Sequence, residues 1–241
     1  MRFIAFVFIS LAFYGCKTSG GDSRAILASS AVSAPQILPG DSLTYLALGD
    51  SYTYGLDVQE NQSFPFQLDS VLHQNGYKPA APTIIARFGW TSADLLAGMS
   101  TANITQHFDL VTLLIGVNDQ NKGVNAETFR SNLDQLISSA VLLAKGYSNR
   151  VFVISIPDWS VTPFASDLNK AEIATQLQLF NTINQAEAGK FKVNYIDVTT
   201  LSELAANDPT LTSYDGLHPS AKMYARWVNL FYAKIAASFQ Q

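Results

Sequence analysis

From residue 41 onward, short unbroken apolar runs alternate with longer stretches in which apolar residues return every three or four positions. The runs Leu43 to Leu48, Thr83 to Arg87, Leu110 to Ile115, Val151 to Ile156 and Val193 to Val198 are rich in Val, Ile, Leu or Tyr, and predict five strands. The periodic stretches predict helices. Ser63 can cap one running through "FPFQLDSVLHQN" to Gly76, with Pro65 in its first turn. "TSADLLAGM" reads as a short helix capped at Thr91 or Ser92. "NAETFRSNLDQLISSAVLLAKG" and "NKAEIATQLQLFNTINQAEAG" each end at a glycine, and a last helix from Ser220 to Phe239 places Met223, Trp227, Phe231 and Ile235 on one face.

Strands that are apolar throughout and separated by helical crossovers predict a parallel sheet buried on both faces, an α/β domain in three layers. In such a sheet the ligand site lies beyond the carboxyl ends of the strands. The chemistry is therefore expected in the loops that leave the strands.

The segment ahead of the domain has a different pattern. One positive residue, Arg2, precedes an apolar run from Phe3 to Gly15, too short to cross about 30 Å of hydrocarbon as a helix. It reads as an export signal. Its end, with the chain's one cysteine at Cys16 directly after Gly15, resembles a bacterial lipoprotein signal, which implies a lipid anchor at Cys16 and a place in the cell envelope, on the periplasmic face or the cell surface. Residues 17–40, rich in Ser, Ala and Gly, read as a flexible tether reaching roughly 25 to 30 Å. Residues 41–241 form the predicted domain.

Composition narrows the partners. With 48% hydrophobic and 14% charged residues over 241 positions, the chain can bury one sizeable core. A formal charge of −4 gives no basic footprint for a nucleic acid. A monomer without a nucleic-acid partner is expected. No cluster of His, Cys and carboxylates has metal spacing, so neither metal nor other cofactor is expected. His73 and His107 read as structural or solvated.

Gly-Asp-Ser occurs three times, at Ser23, Ser42 and Ser51. Ser23 falls in the tether, and Ser42 comes before the first strand, on the opposite edge of the sheet. Ser51 comes directly after that strand. A serine needs a base, and the base an orienting group. His218 is the candidate base and Asp215, three residues earlier, its partner, although D-x-x-H can equally be a turn and helix cap. An oxyanion needs preorganised donors. The backbone N–H of Gly89, the Asn118 amide and the N–H of Ser51 could supply them; each signal alone is weak. Asp50 and Asp119 read as turn-forming hydrogen-bond acceptors. Trp90 and Trp159 are candidate walls of an acyl pocket, with weaker candidates at Tyr52, Tyr54, Phe64, Phe66 and Phe164.

Taken together, "GDSYTYG" around Ser51, Gly89 in "FGWTS", Asn118 in "GVND", and "DGLHP" with Asp215 and His218 resemble the SGNH hydrolases, also called GDSL esterases and lipases. The resemblance implies a flavodoxin-like sheet of order 2-1-3-4-5, a metal-free Ser-His-Asp mechanism, and Ser51, Gly89 and Asn118 as the oxyanion hole. Tyr52 stands where the family name has Leu. "SIPDWSVTPFA" and "DGLHPSAKMYARW" further resemble a bacterial subgroup described as lysophospholipase-like. The activity the resemblance implies is that of a carboxylic ester hydrolase (EC 3.1.1 type) acting on a small-molecule or lipid ester through an acyl-enzyme. An O-acetyl esterase on a polysaccharide and a non-catalytic binding lipoprotein are the alternatives.

Overall fold

The computed structural model describes residues 34–241. Cys16, Ser23 and residues 17–33 of the expected tether lie outside them. Five parallel strands, β1 (Tyr45–Gly49), β2 (Thr83–Ala86), β3 (Leu110–Leu114), β4 (Val151–Ile154) and β5 (Asn194–Ile196), form one sheet in the order 2-1-3-4-5. The register sets Leu46 beside Thr83 and Val111, and Val111 beside Val151.

Helices cover both faces: α1 (Ser51–Tyr54), α2 (Phe64–Gln74), α3 (Ser92–Ala102), α4 (Val117–Asn121), α5 (Ala126–Leu143), α6 (Lys170–Phe191), α7 (Thr199–Ser202) and α8 (Ala221–Ser238). Successive strand residues point to opposite sides. Leu46, Leu48, Val111, Leu113, Val151 and Val153 face α3, α5 and α6, where they pack with Leu95, Phe129, Leu133, Phe180 and Ile183. Tyr45, Ala47, Leu110, Leu114, Phe152 and Ile154 face α2 and α8, against Phe64, Leu68, Trp227 and Phe231. This two-sided burial explains why the strands lack polar alternation. Each such side chain contributes about 1.5–3 kcal/mol on leaving water.

Several boundaries differ from expectation. The first apolar run divides at Thr44, whose N–H and hydroxyl both donate to Asp109 (2.9 and 3.0 Å). Ahead of it, Ser42–Leu43 pairs with Lys78–Pro79 instead of joining the main sheet. Ser63 does not cap α2 with its side chain, because its hydroxyl donates to the Glu60 carbonyl. Helix α6 runs through Gly189 to Phe191 and ends on left-handed Lys192 (φ 56°). Packing of Phe191 against the core holds those residues helical.

The tether was expected to extend to residue 40, and here the structure corrects it. Residues 34–40 pack on the domain: Ala34 and Ile37 are buried, Ile37 donates to the Phe239 carbonyl (2.9 Å), and buried Arg150 donates to the Pro35 carbonyl (2.5 Å). Ser/Ala-rich composition hid one apolar anchor, Ile37, and a backbone carbonyl that pairs a buried guanidinium.

Candidate active site

Loops leaving β1 to β4 converge with the segment that enters α8. At the end of β1, a Cβ on Gly49 would lie 2.1 Å from Thr53 Oγ1 and 2.4 Å from the Leu114 carbonyl oxygen, so only glycine lets the chain turn there. Asp50 then caps α1, accepting the Tyr52 N–H (3.0 Å), and Ser51 is left as the first helical residue.

Ser51 Oγ lies 2.9 Å from His218 Nε2, and His218 Nδ1 lies 2.5 Å from Asp215 Oδ2. The other Asp215 oxygen accepts from the Ser213 hydroxyl (2.8 Å) and the N–H groups of Leu217 (2.8 Å) and His218 (2.9 Å). Partial burial would raise the Asp215 carboxyl, but the hydrogen bonds from His218, Leu217 and Ser213 outweigh it and hold the group at about 2. An ionised carboxylate can only accept. The Nδ1 proton is thereby fixed toward Asp215, which leaves Nε2 free to take the Ser51 proton. The ring of Tyr52 packs on that of His218 with centroids 5.3 Å apart, and the Tyr52 carbonyl accepts the Tyr224 hydroxyl (2.9 Å).

Beneath the serine, the Asp50 carboxyl is fully buried, and its second oxygen has no partner among the described residues. Burial pushes it up to about 8, against the Tyr52 hydrogen bond and with a further push from Asp119. Asp119, also buried, accepts from the Ser92 hydroxyl (2.5 Å) and N–H (2.8 Å), so it ties α4 to the start of α3.

Gly89 occupies a turn in which the Trp90 N–H donates to the Arg87 carbonyl (3.3 Å). Its φ of +75° makes this a type II turn, whose third residue must be left-handed. That turn type sets the direction of the Phe88–Gly89 peptide and its N–H. One Asn118 N–H donates to the Trp90 carbonyl (2.9 Å); the amide has a second to offer a ligand. Ser51 and Asn118 line one chamber together with Phe88, the residue before Gly89.

Ser51 and His218 open on a chamber of about 380 Å³ walled by Tyr52, Leu56, Phe88, Val117, Trp159 and Phe164. Phe88 (65% exposed) and Phe164 (55%) stand at the solvent edge. Trp159 is where the sequence suggested, but Trp90 is not. Its ring lies over α3, where a Cβ on Gly98 would come within 2.3 Å of it, and only its carbonyl faces the site. Phe64 is in the core, and Tyr54 is exposed. Leu56, Phe88 and Val117 went unnoticed in the sequence because they flank motifs instead of belonging to them. His73 pairs with Asp69 on the surface of α2. A larger open groove of about 750 Å³ beside β5, lined by Asn181, Asp197, Glu203 and Lys234, contains no histidine to activate a nucleophile.

A model of the GDSL-like lipase/acylhydrolase family matches residues 47–226. Among solved structures, the lipase/acylhydrolase from Enterococcus faecalis is 20% identical with a TM-score of 0.67, over 81% of this chain and 96% of that one. TesA is 20% identical with a TM-score of 0.64, over 81% and 99%. A mutant of Axe2, an acetyl-xylooligosaccharide esterase from Geobacillus Stearmophilus, is 16% identical with a TM-score of 0.61, over 82% and 96%. At these identities the likeness speaks for the fold alone. A search of curated proteins finds no match to the chain.

Proposed function

The chain belongs to the GDSL-like lipase/acylhydrolase family, and on that premise we propose that it is a serine carboxylic ester hydrolase working through an acyl-enzyme on Ser51. The observation that carries the reading is the continuous relay from Ser51 Oγ through His218 to an ionised Asp215. Ser51 Oγ attacks the ester carbonyl carbon as its proton passes to His218 Nε2. The imidazolium then protonates the leaving alcohol, and the C–O bond to it breaks. Water, deprotonated by His218, attacks the acyl-enzyme; the acid departs and the proton returns to Ser51. Asp215, ionised throughout, orients the ring and takes up no proton. The N–H groups of Ser51 and Gly89 and the Asn118 amide receive the oxyanion.

For substrate, the apolar chamber favours an acyl ester of the lysophospholipid type. A second reading, removal of O-acetyl groups from a polysaccharide, draws on a neighbouring groove. It shares Asn121 and Trp159 with the chamber and is lined by Gln120, Asn169, Glu172 and Gln176, groups suited to a hydroxyl-rich leaving group. Attachment to the bacterial envelope through a lipid on Cys16 is part of the same proposal and rests on the sequence of residues 1–16.

The test is hydrolysis of acetyl, octanoyl and palmitoyl esters and of an acetylated glycan, beside Ser51→Ala. Activity lost in the variant is expected. Activity that survives there sinks the nucleophile assignment, a strict acetyl preference moves the substrate to the second reading, and no turnover of any ester leaves a non-catalytic binding role.

A further inference from the structure

The turn that carries Gly89 is held from outside at three nearby positions, all by α4 and the residue that ends it. Asn118 donates to the Trp90 carbonyl (2.9 Å), Asp119 accepts from Ser92, and the Lys122 ammonium donates to the carbonyl of Gly89 itself (2.8 Å). Asn118 and Lys122 lie four residues apart, so one helical turn directs both toward the same loop. Of these three contacts, only that of Lys122 ends on Gly89 itself.

We propose that Lys122 is a positioning residue for ester hydrolysis, holding the Gly89 turn so that the Gly89 N–H stays aimed at the developing oxyanion. The inference rests on the reading of the site given above. At Gly89, with φ +75°, no atom lies within 4 Å of where a Cβ would stand, so no side-chain packing on that side keeps the residue in place. Rotation of the Phe88–Gly89 peptide between type II and type I geometries reverses the direction of the Gly89 N–H. Anchoring the next carbonyl restrains that rotation. An exposed lysine gives up rotamer freedom to hold one carbonyl, an arrangement that surface packing does not require. Lys122 does not line the chamber that holds Ser51 and His218.

Loss of a whole oxyanion donor costs about 10²- to 10³-fold in kcat, so loosening one donor should cost about tenfold. Lys122→Met is expected to lower kcat about tenfold on a soluble acetyl ester with KM within about twofold. Lys122→Arg, which keeps a cationic donor, should restore at least half of the loss. Hydrogen exchange of the segment 87–92 should accelerate in Lys122→Met and not in Lys122→Arg, which reads the restraint without turnover. Unchanged kcat, a fall in kcat matched by a rise in KM, or unchanged exchange in Lys122→Met would each overturn the proposal. If the parent protein hydrolyses no ester, the reading of the site fails, while the exchange experiment still decides whether Lys122 restrains the turn.

Discussion

Asp50 allows the buried electrostatics beneath Ser51 to be tested as a stability. Its carboxyl is 0% exposed; one oxygen accepts the Tyr52 N–H and the other has no partner among the described residues. The one charged neighbour acting on it is the Asp119 carboxyl, and Asp50 in turn pushes the phenols of Tyr52 and Tyr224 up. Burial raises it from 3.8 to about 8. Below the unfolded value both states hold the proton, and the contribution to stability is complete. Between the two values the folded state keeps a proton that the unfolded chain has lost, so stability falls as pH rises, by about 1.4 kcal/mol per unit. Above the folded value both states are ionised and the contribution is gone. From pH 6 to pH 8 the loss is thus about 2 to 3 kcal/mol. Asp50→Asn is neutral throughout, and its amide oxygen can still accept from Tyr52. Urea unfolding at pH 6, 7 and 8, with m held constant, should show the parent losing that amount relative to Asp50→Asn. Parallel pH profiles for the two proteins, or a parent that gains on the variant as pH rises, would show that Asp50 is ionised in the fold and refute the reasoning.

Gly89→Ala should lower kcat by about 10- to 100-fold, because the type II turn loses its left-handed residue and the donor N–H turns away. No atom lies within 4 Å of the added Cβ, so the melt should move only by the roughly 1–2 kcal/mol of left-handed backbone strain; an unchanged kcat would remove Gly89 from the oxyanion hole. Cys16→Ala should abolish incorporation of labelled palmitate and release the protein from the membrane fraction, and labelling that persists would exclude Cys16 as the lipid site.

Elements that owe their existence to hydrophobic pattern were legible in the sequence. All five strands and the long helices α2, α3, α5, α6 and α8 lie where apolar runs and periodicity put them, and Asn125, Asn169 and Ser220 cap α5, α6 and α8 through side-chain hydrogen bonds. What escaped depends on tertiary contact. The C-terminal turn of α6 passes a glycine because Phe191 has a place in the core, and residues 34–40 are ordered by Arg150 and the end of α8, far along the chain. Trp90 was misplaced for the same reason. Sequence brought it next to Gly89, but only the slot left by Gly98 determines which way its ring turns. Lys122 gave no signal, since its partner is a carbonyl, and carbonyls carry no letter.

The two described Gly-Asp-Ser triplets separate what a motif encodes from what its surroundings supply. At Ser42 the aspartate reaches backward, Asp41 accepting the Leu38 N–H (2.8 Å), and the serine sits exposed in a two-residue pairing at the amino edge of the sheet. At Ser51 the aspartate reaches forward to Tyr52 and starts a helix, and the serine is buried within reach of His218. The same three residues thus build a surface turn in one place and a buried serine within hydrogen-bond reach of a histidine in the other. The difference lies in Gly49, pressed against Thr53 and the backbone of β3, whereas Gly40 has nothing within 4 Å. Close packing at the carboxyl end of a central strand forces the sharp turn that aims the hydroxyl at His218, and an edge segment with open space around it cannot impose that geometry.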